Sequence, residues 1–162
     1  MKCPECGKAM KSRHEKSYHY KASGLPNVVL AGIEIRTCPS CGEEEVVIPR
    51  IEELHRLIAR GVMNKPARLT GQEMRFLRKA IGLSGVDFAA RVGVSPETVS
   101  RWENDKEPIG PTADRLVRLM AAQSPPKTDY ALDELANIAD EVKPLAMRLE
   151  PRARGWATAA AL

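Results

Sequence analysis

Aromatic side chains are scarce in this 162-residue chain: they make up 4% of it, as two tryptophans, three tyrosines and two phenylalanines. A large aromatic core is therefore excluded. A domain of roughly 60 residues buries only a modest core in any case. No apolar run approaches the ~20 residues that span a bilayer, and the closing Ala157 to Leu162 stretch is far too short. Met1-Lys2-Cys3 runs straight into polar sequence, so no secretory signal is expected. Charge of one sign is not in excess: 25 Lys and Arg face 21 Asp and Glu, for a formal net charge of +4. That balance points only weakly to a polyanionic partner. Also missing are a phosphate-cradling loop, a nucleophile in register with a base, and a ligand pattern with an open metal position, so an enzyme is not expected. The chain reads as a cytoplasmic protein, with no membrane partner and with reduced thiols.

Cysteine is equally sparse, and all four are used in two copies of one motif. Cys3-Pro4-Glu5-Cys6-Gly7 is the first and Cys38-Pro39-Ser40-Cys41-Gly42 the second. Two residues between cysteines let both thiolates face one ion across a tight turn. The glycine after each second cysteine suits a backbone position with positive φ. Four thiolates from Cys3, Cys6, Cys38 and Cys41 complete a tetrahedral Zn2+ shell, one ion per chain, with no position left for water. The metal is thus expected to be structural. The intervening segment exceeds the usual zinc-ribbon gap, but loop-closure entropy rises slowly with length. A pair of redox dithiols is the alternative. The three histidines, His14, His19 and His55, are expected on the surface or in strands.

Between the knuckles, Tyr18-His19-Tyr20 and residues 27–36 are β-prone, separated by Gly24-Leu25-Pro26. Residues 50–60 read as a helix, with Ile51, Leu54, Leu57 and Ile58 on one face and Gly61 as its end. A helical series follows. Thr70 caps a helix running to about Ile81, with Glu73 completing a capping box and Met74, Leu77 and Ile81 inside. Ser84 caps a short helix burying Phe88, Ala89 and Val92. Gly93-Val94-Ser95 makes a turn, and Ser95 caps a third helix with Pro96 in its first turn. Val99 and Trp102 point inward, while Glu97, Thr98, Ser100 and Arg101 point outward. A fourth helix after Pro111 is expected to bury Leu116, Leu119 and Met120. This spacing predicts a helix-turn-helix whose third helix presents a short polar face to base edges. The plainer reading of Arg101, Thr98 and Ser100 is solvated surface.

Leu83-Ser84 followed by the run from Phe88 to Glu103 resembles the XRE/Cro-type repressor domain. Together with the two knuckles, the chain resembles MqsA-type antitoxins, which pair a YgiT-type zinc domain with an XRE-type domain. The resemblance covers residues 1 to about 122. It implies a zinc domain that neutralises a small protein toxin, commonly an RNA-cutting enzyme. It also implies a helix-turn-helix that binds the palindromic double-stranded DNA of its own promoter as a homodimer, placing the protein on the nucleoid when bound. On the matching positions, Glu97 and Arg101 would read bases, Thr98 and Ser100 would touch phosphate or support packing, and Ser95 belongs to the same DNA-contacting set. Gly85 departs from the polar residue such domains often carry there.

The expected architecture is α+β: a small N-terminal zinc-binding β domain with four cysteine ligands and a helix, joined to an all-α helix-turn-helix domain. The boundaries are 1–60 for the zinc and toxin-binding part, 61–68 for a flexible linker, and 69–123 for the DNA-binding part. Residues 124–162 form an extension, with an amphipathic helix marked by Leu132, Leu135, Ile138 and Val142 and a frayed tail beyond Leu149. Residues 18–35 are the candidate toxin surface, through an exposed strand edge. The fourth helix and the Leu132 to Val142 helix are candidate dimer surfaces. The competing function is a stand-alone XRE-type transcription regulator whose zinc domain stabilises or senses.

Overall fold

A computed structural model of the chain describes residues 1–123 and 138–159. The architecture is mixed α+β, with an N-terminal β region carrying the cysteines and a helical series after it. The N-terminal region supplies β1 (Lys11–Glu15), β2 (Tyr18–His19), β3 (Val28–Leu30), β4 (Ile33–Thr37) and β5 (Glu44–Val47), then α1 (Ile51–Asn64). A first sheet has the order β1-β4-β5 and is antiparallel throughout. Its alternation is legible in β4: Ile33 and Ile35 are buried, while Glu34 and Arg36 stay half-exposed and pair at 2.9 Å on the other face.

The helical series comprises α2 (Gly71–Ala80), α3 (Gly85–Val92), α4 (Pro96–Glu103) and α5 (Pro111–Gln123). Each of the first three begins at the expected cap. The Thr70 hydroxyl accepts from the Glu73 N–H within a full capping box, Ser84 from Asp87 and Ser95 from Thr98. Such side chains satisfy backbone donors that the helix itself leaves unpaired. Gly93, at φ +76°, ends α3 in the left-handed conformation that permits the sharp turn into α4.

Four expectations need correction. α1 does not stop at Gly61; it continues to Asn64. Gly61 is small for another reason: a Cβ there would stand 2.7 Å from the Met147 side chain. Second, residues 61–68 are not a flexible linker. They hold the end of α1, the buried Lys65 and the short strand β6 (Ala67–Arg68). Third, the chain beyond Leu149 is not frayed. It forms the end of β8 (Met147–Arg152) and β9 (Gly155–Thr158), after a strand β7 (Ala139–Val142). The predicted helix is replaced by strand at residues 139–142; Leu132 and Leu135 lie outside the described residues. β8 runs parallel to β3, giving a second sheet of order β2-β3-β8-β9, and β7 pairs with β6. Long-range pairing of this kind carries little local sequence signal. Fourth, α5 is rotated from its expected face. Ala113, Asp114, Val117, Arg118 and Ala121 are buried, and Leu116, Leu119 and Met120 are only half-buried.

One hydrophobic cluster runs through the whole. Leu30, Ile33, Leu54, Ile58, Met63, Leu69, Met74, Leu77, Phe88 and Leu149 are all essentially inaccessible and belong to it. The cysteine-bearing region and the helices therefore share a core.

Candidate metal centre and nucleic-acid interface

The two knuckles are built alike. The Cys3 N–H donates to the Lys8 carbonyl at 2.8 Å, and the Gly7 N–H to the Cys3 carbonyl at 2.9 Å. In the second knuckle the Cys38 N–H donates to Glu43 at 2.8 Å, and Gly42 to Cys38 at 2.9 Å. Gly7 and Gly42 take φ +72° and +79°, a conformation that would strain any residue with a side chain. β1 and β4, which follow and precede the knuckles, pair with Lys11 opposite Thr37, and so bring the two turns together.

All four sulfurs lie within 4.8 Å of one another. Cys3 Sγ stands 3.6 Å from Cys41 Sγ, and Cys6 Sγ 3.4 Å from Cys38 Sγ. A tetrahedral ion with sulfur ligands at ~2.3 Å would space them by about 3.8 Å, so four thiolates here could hold a metal such as zinc. Cys3 and Cys38 are buried and Cys6 and Cys41 exposed, so each knuckle offers one inner and one outer ligand. Without metal the thiols divide their protons unequally. Cys38 is lowered to about 6, first by the backbone N–H of Cys41, then by that of Ser40. Cys41 is pushed up to about 12: the Glu43 N–H opposes the rise, but hydrogen bonds with the Cys38 and Cys6 thiols outweigh it. A metal that binds as thiolate complex would take up what Cys38 already offers and displace the remaining protons. When bound, the ion supplies a cross-link between the two knuckles, which the β1–β4 pairing holds together at one end of the first sheet.

The second candidate surface is α4. Its apolar side is fixed by Val99 and Trp102, both buried against the neighbouring helices. Ser95, Glu97, Ser100 and Arg101 are exposed, and Thr98 is half-buried. The Ser95 hydroxyl is partly committed, accepting the Thr98 N–H at 3.2 Å and lying 3.2 Å from the Thr98 hydroxyl. Glu97 and Arg101, one helical turn apart, share a stripe. The Glu97 carboxylate is held below its usual range by its own backbone N–H, by the Ser95 hydroxyl and by the Arg101 charge. The far end of α4 is anchored: Arg78 grips Glu103 through two bonds, of 2.5 and 3.1 Å, and also donates to the Leu83 carbonyl at 2.6 Å. Gly71 begins α2 so close to the Trp102 carbonyl that a Cβ would collide with it.

A family model described as Helix-turn-helix matches residues 74–122. Residues 74–122 are a helix-turn-helix domain. The class it supports is a sequence-specific DNA-binding regulator of transcription. No curated protein matches the chain, and no solved structure does. Among the described residues, no helix is long and apolar enough to cross a membrane.

The helix-turn-helix domain is tied to the cysteine-bearing region by polar groups that sequence reasoning missed. Arg118 of α5 is fully buried. It bonds Asp114 at 2.6 Å and donates to the carbonyls of Met63, Lys65 and Ala67 at 2.9, 2.5 and 2.7 Å. Asp114 in turn accepts the Leu69 N–H at 2.7 Å. Lys65, also buried, reaches Glu73 at 2.5 Å and the Lys143 carbonyl. Glu73 accepts from the N–H groups of Thr70 and Leu145 as well. The only signal in the sequence is the i, i+4 pair Asp114 and Arg118, a spacing equally common on solvated helix faces. Of the histidines, His14 and His19 are exposed in strands, but His55 is half-buried on α1, its Nε2 2.9 Å from the Tyr20 hydroxyl and its ring edge-on to Phe76 of α2.

Proposed function

We propose that this chain is the antitoxin of a toxin–antitoxin pair, neutralising a small protein toxin through its metal-bearing region and repressing its own operon through the helix-turn-helix. The observation that supports this reading most is the order of parts: a convergent four-thiol cluster on a β region, followed in one chain by a helix-turn-helix at 74–122. In this reading one Zn2+ per chain sits among Cys3, Cys6, Cys38 and Cys41 as a structural ion. A homodimer places two copies of α4 in successive major grooves of a palindromic operator. Arg101 donates bidentately to a guanine, and Glu97 accepts from a cytosine amino group. Ser95, Thr98 and Ser100 fix the register on phosphate oxygens, with the α4 N-terminus assisting. Leu116 and Leu119, half-buried on α5, are the candidate dimer face.

The toxin surface needs revising from the sequence expectation. The free edge nominated within residues 18–35 is mostly covered: β3 lies between β2 and β8, and β4 between β1 and β5. The open edges belong to β1 and β5 on one sheet and β2 and β9 on the other. Co-expression with the product of the adjacent gene tests the pairing. Rescue of growth is expected; persistent toxicity with both proteins folded would refute it. For DNA, selection from random duplexes should enrich a two-fold symmetric sequence. Arg101→Ala should weaken binding to it by about 1–3 kcal/mol and relax one base position.

One observation favours a second reading, a stand-alone regulator with a sensing metal site. The buried junction around Arg118 and Lys65 makes the thiol cluster and the DNA-reading helices mechanically continuous. Under that reading the purified protein binds its operator without a partner, and reversible metal removal changes the affinity.

A further inference from the structure

Residues 139–158 touch both halves of the molecule in turn. Their first stretch lies on the junction. The Ala139 N–H donates to the Pro66 carbonyl at 2.6 Å, the Lys143 carbonyl accepts from Lys65, and the Leu145 N–H reaches Glu73 at 2.6 Å. Their second stretch lies on the N-terminal sheet. The Met147 N–H donates to Asn27 at 2.8 Å, and the Leu149 carbonyl accepts from Ala31 at 2.5 Å. Trp156 donates from Nε1 to the Pro49 carbonyl at 2.8 Å, and Arg50 holds the Arg152 and Gly155 carbonyls at 2.6 and 2.9 Å.

The segment is seated through short ladders. Its ladder with β3 is parallel and three residues long, and that with β6 is two residues long and irregular. Within it Leu149, Gly155 and Trp156 are buried and Leu145 and Met147 pack half-buried against the core, while Val142, Lys143, Pro144 and Ala146 are exposed. Elements held to the rest of the fold by short, partly irregular ladders open at lower free energy than the core they rest on. Yet this one supplies an acceptor to buried Lys65 and a donor to buried Glu73, so its departure would leave the junction's ion pair without two of its partners.

We infer that residues 139–158 are a releasable strap: seated, they join the sheet β2-β3-β8-β9 to the helix-turn-helix, and released, they loosen the junction at residues 65–69. A strand that competes with β8 for the edge of β3 would thereby act on the DNA-reading half without touching it. This inference does not depend on the antitoxin reading.

Amide hydrogen exchange on the full-length, zinc-loaded protein tests it. The amides of Ala31, Ala139, Leu145, Met147 and Ala159 are expected to share one opening, with less protection than Ile58 of α1 or Leu77 of α2. Leu149→Lys, placed on the sheet, should speed exchange about tenfold or more at Ala139 and Leu145 and also at Leu69, whose N–H donates to Asp114 within the junction, while the interior amides of α1 keep their protection. If Leu149→Lys does not fold, judged by loss of helical circular dichroism, Trp156→Phe provides the milder version and should move the same amides together. Acceleration confined to the sheet, or separate openings for the two stretches in the native chain, would overturn the strap.

Discussion

His55 sits where burial decides its charge. Desolvation lowers its pKa from the ordinary 6.5, because the ring lies between Tyr20 and Phe76. The unfolded chain binds that proton more readily than the folded one. The resulting stability is complete above pH 6.5 and is lost as the pH falls through the lower folded value. Urea midpoints at about pH 7.5 and about pH 5 should therefore differ more for the native chain than for His55→Gln. Arg118 carries a larger stake. Its guanidinium serves one carboxylate and three carbonyls in a fully buried setting. Arg118→Met would leave Asp114 charged, buried and without its cation, and is expected to cost about 3–5 kcal/mol in chemical denaturation. Gly71→Ala tests packing rather than charge. The added methyl meets the backbone carbonyl of Trp102, which cannot rotate away. A loss of about 1–3 kcal/mol is expected, despite the gain in helix propensity.

Secondary-structure elements divide by how local their causes are. The starts of α2, α3 and α4 were legible because a hydroxyl and the N–H three residues on settle them within one turn. Ser95→Ala removes one such cap and should cost about 1 kcal/mol, with α4 amides exchanging faster at its first turn. The knuckles were legible for the same reason, since Cys, two residues, Cys and Gly dictate the turn. α5 was legible as a helix but not in its rotation. Its leucines are only half-buried because Asp114 and Arg118 occupy the inward face, and a hydrophobic count cannot see that three backbone carbonyls wait there for a guanidinium. β8 and β9 were illegible altogether. Met147–Arg152 contains a proline and two arginines, and Gly155–Thr158 is short; they become strands through the edge of β3, more than a hundred residues away in sequence. The Gly61 position misled for a related reason: its smallness answers Met147, not the end of a helix.

The whole molecule departs most from a picture of two parts on a flexible joint. A shared core and the polar junction at Arg118, Lys65 and Glu73 join the thiol cluster to the helix-turn-helix. A flexible joint would confine the effect of Cys3→Ser to the N-terminal part. With the junction locked, losing one ligand should lower the stability of the helices as well, and chelation should do the same to the native chain. Acid should act in the same direction, since protons and metal compete for the same thiols. The two tryptophans allow the question to be put to each half separately, since Trp102 lies on α4 and Trp156 on β9. Trp156→Phe leaves a reporter in the DNA-reading half and Trp102→Phe one in the sheet, each used once its zinc-loaded midpoint by helical circular dichroism matches that of the native chain. The most direct measurement is denaturant unfolding of both variants by tryptophan fluorescence, each with zinc bound and after chelation. Each variant should show a single transition that matches its own helical circular dichroism, and chelation should shift both to lower denaturant. A Trp102 transition that stays in place on chelation, while that of Trp156 moves, would contradict the single rigid unit.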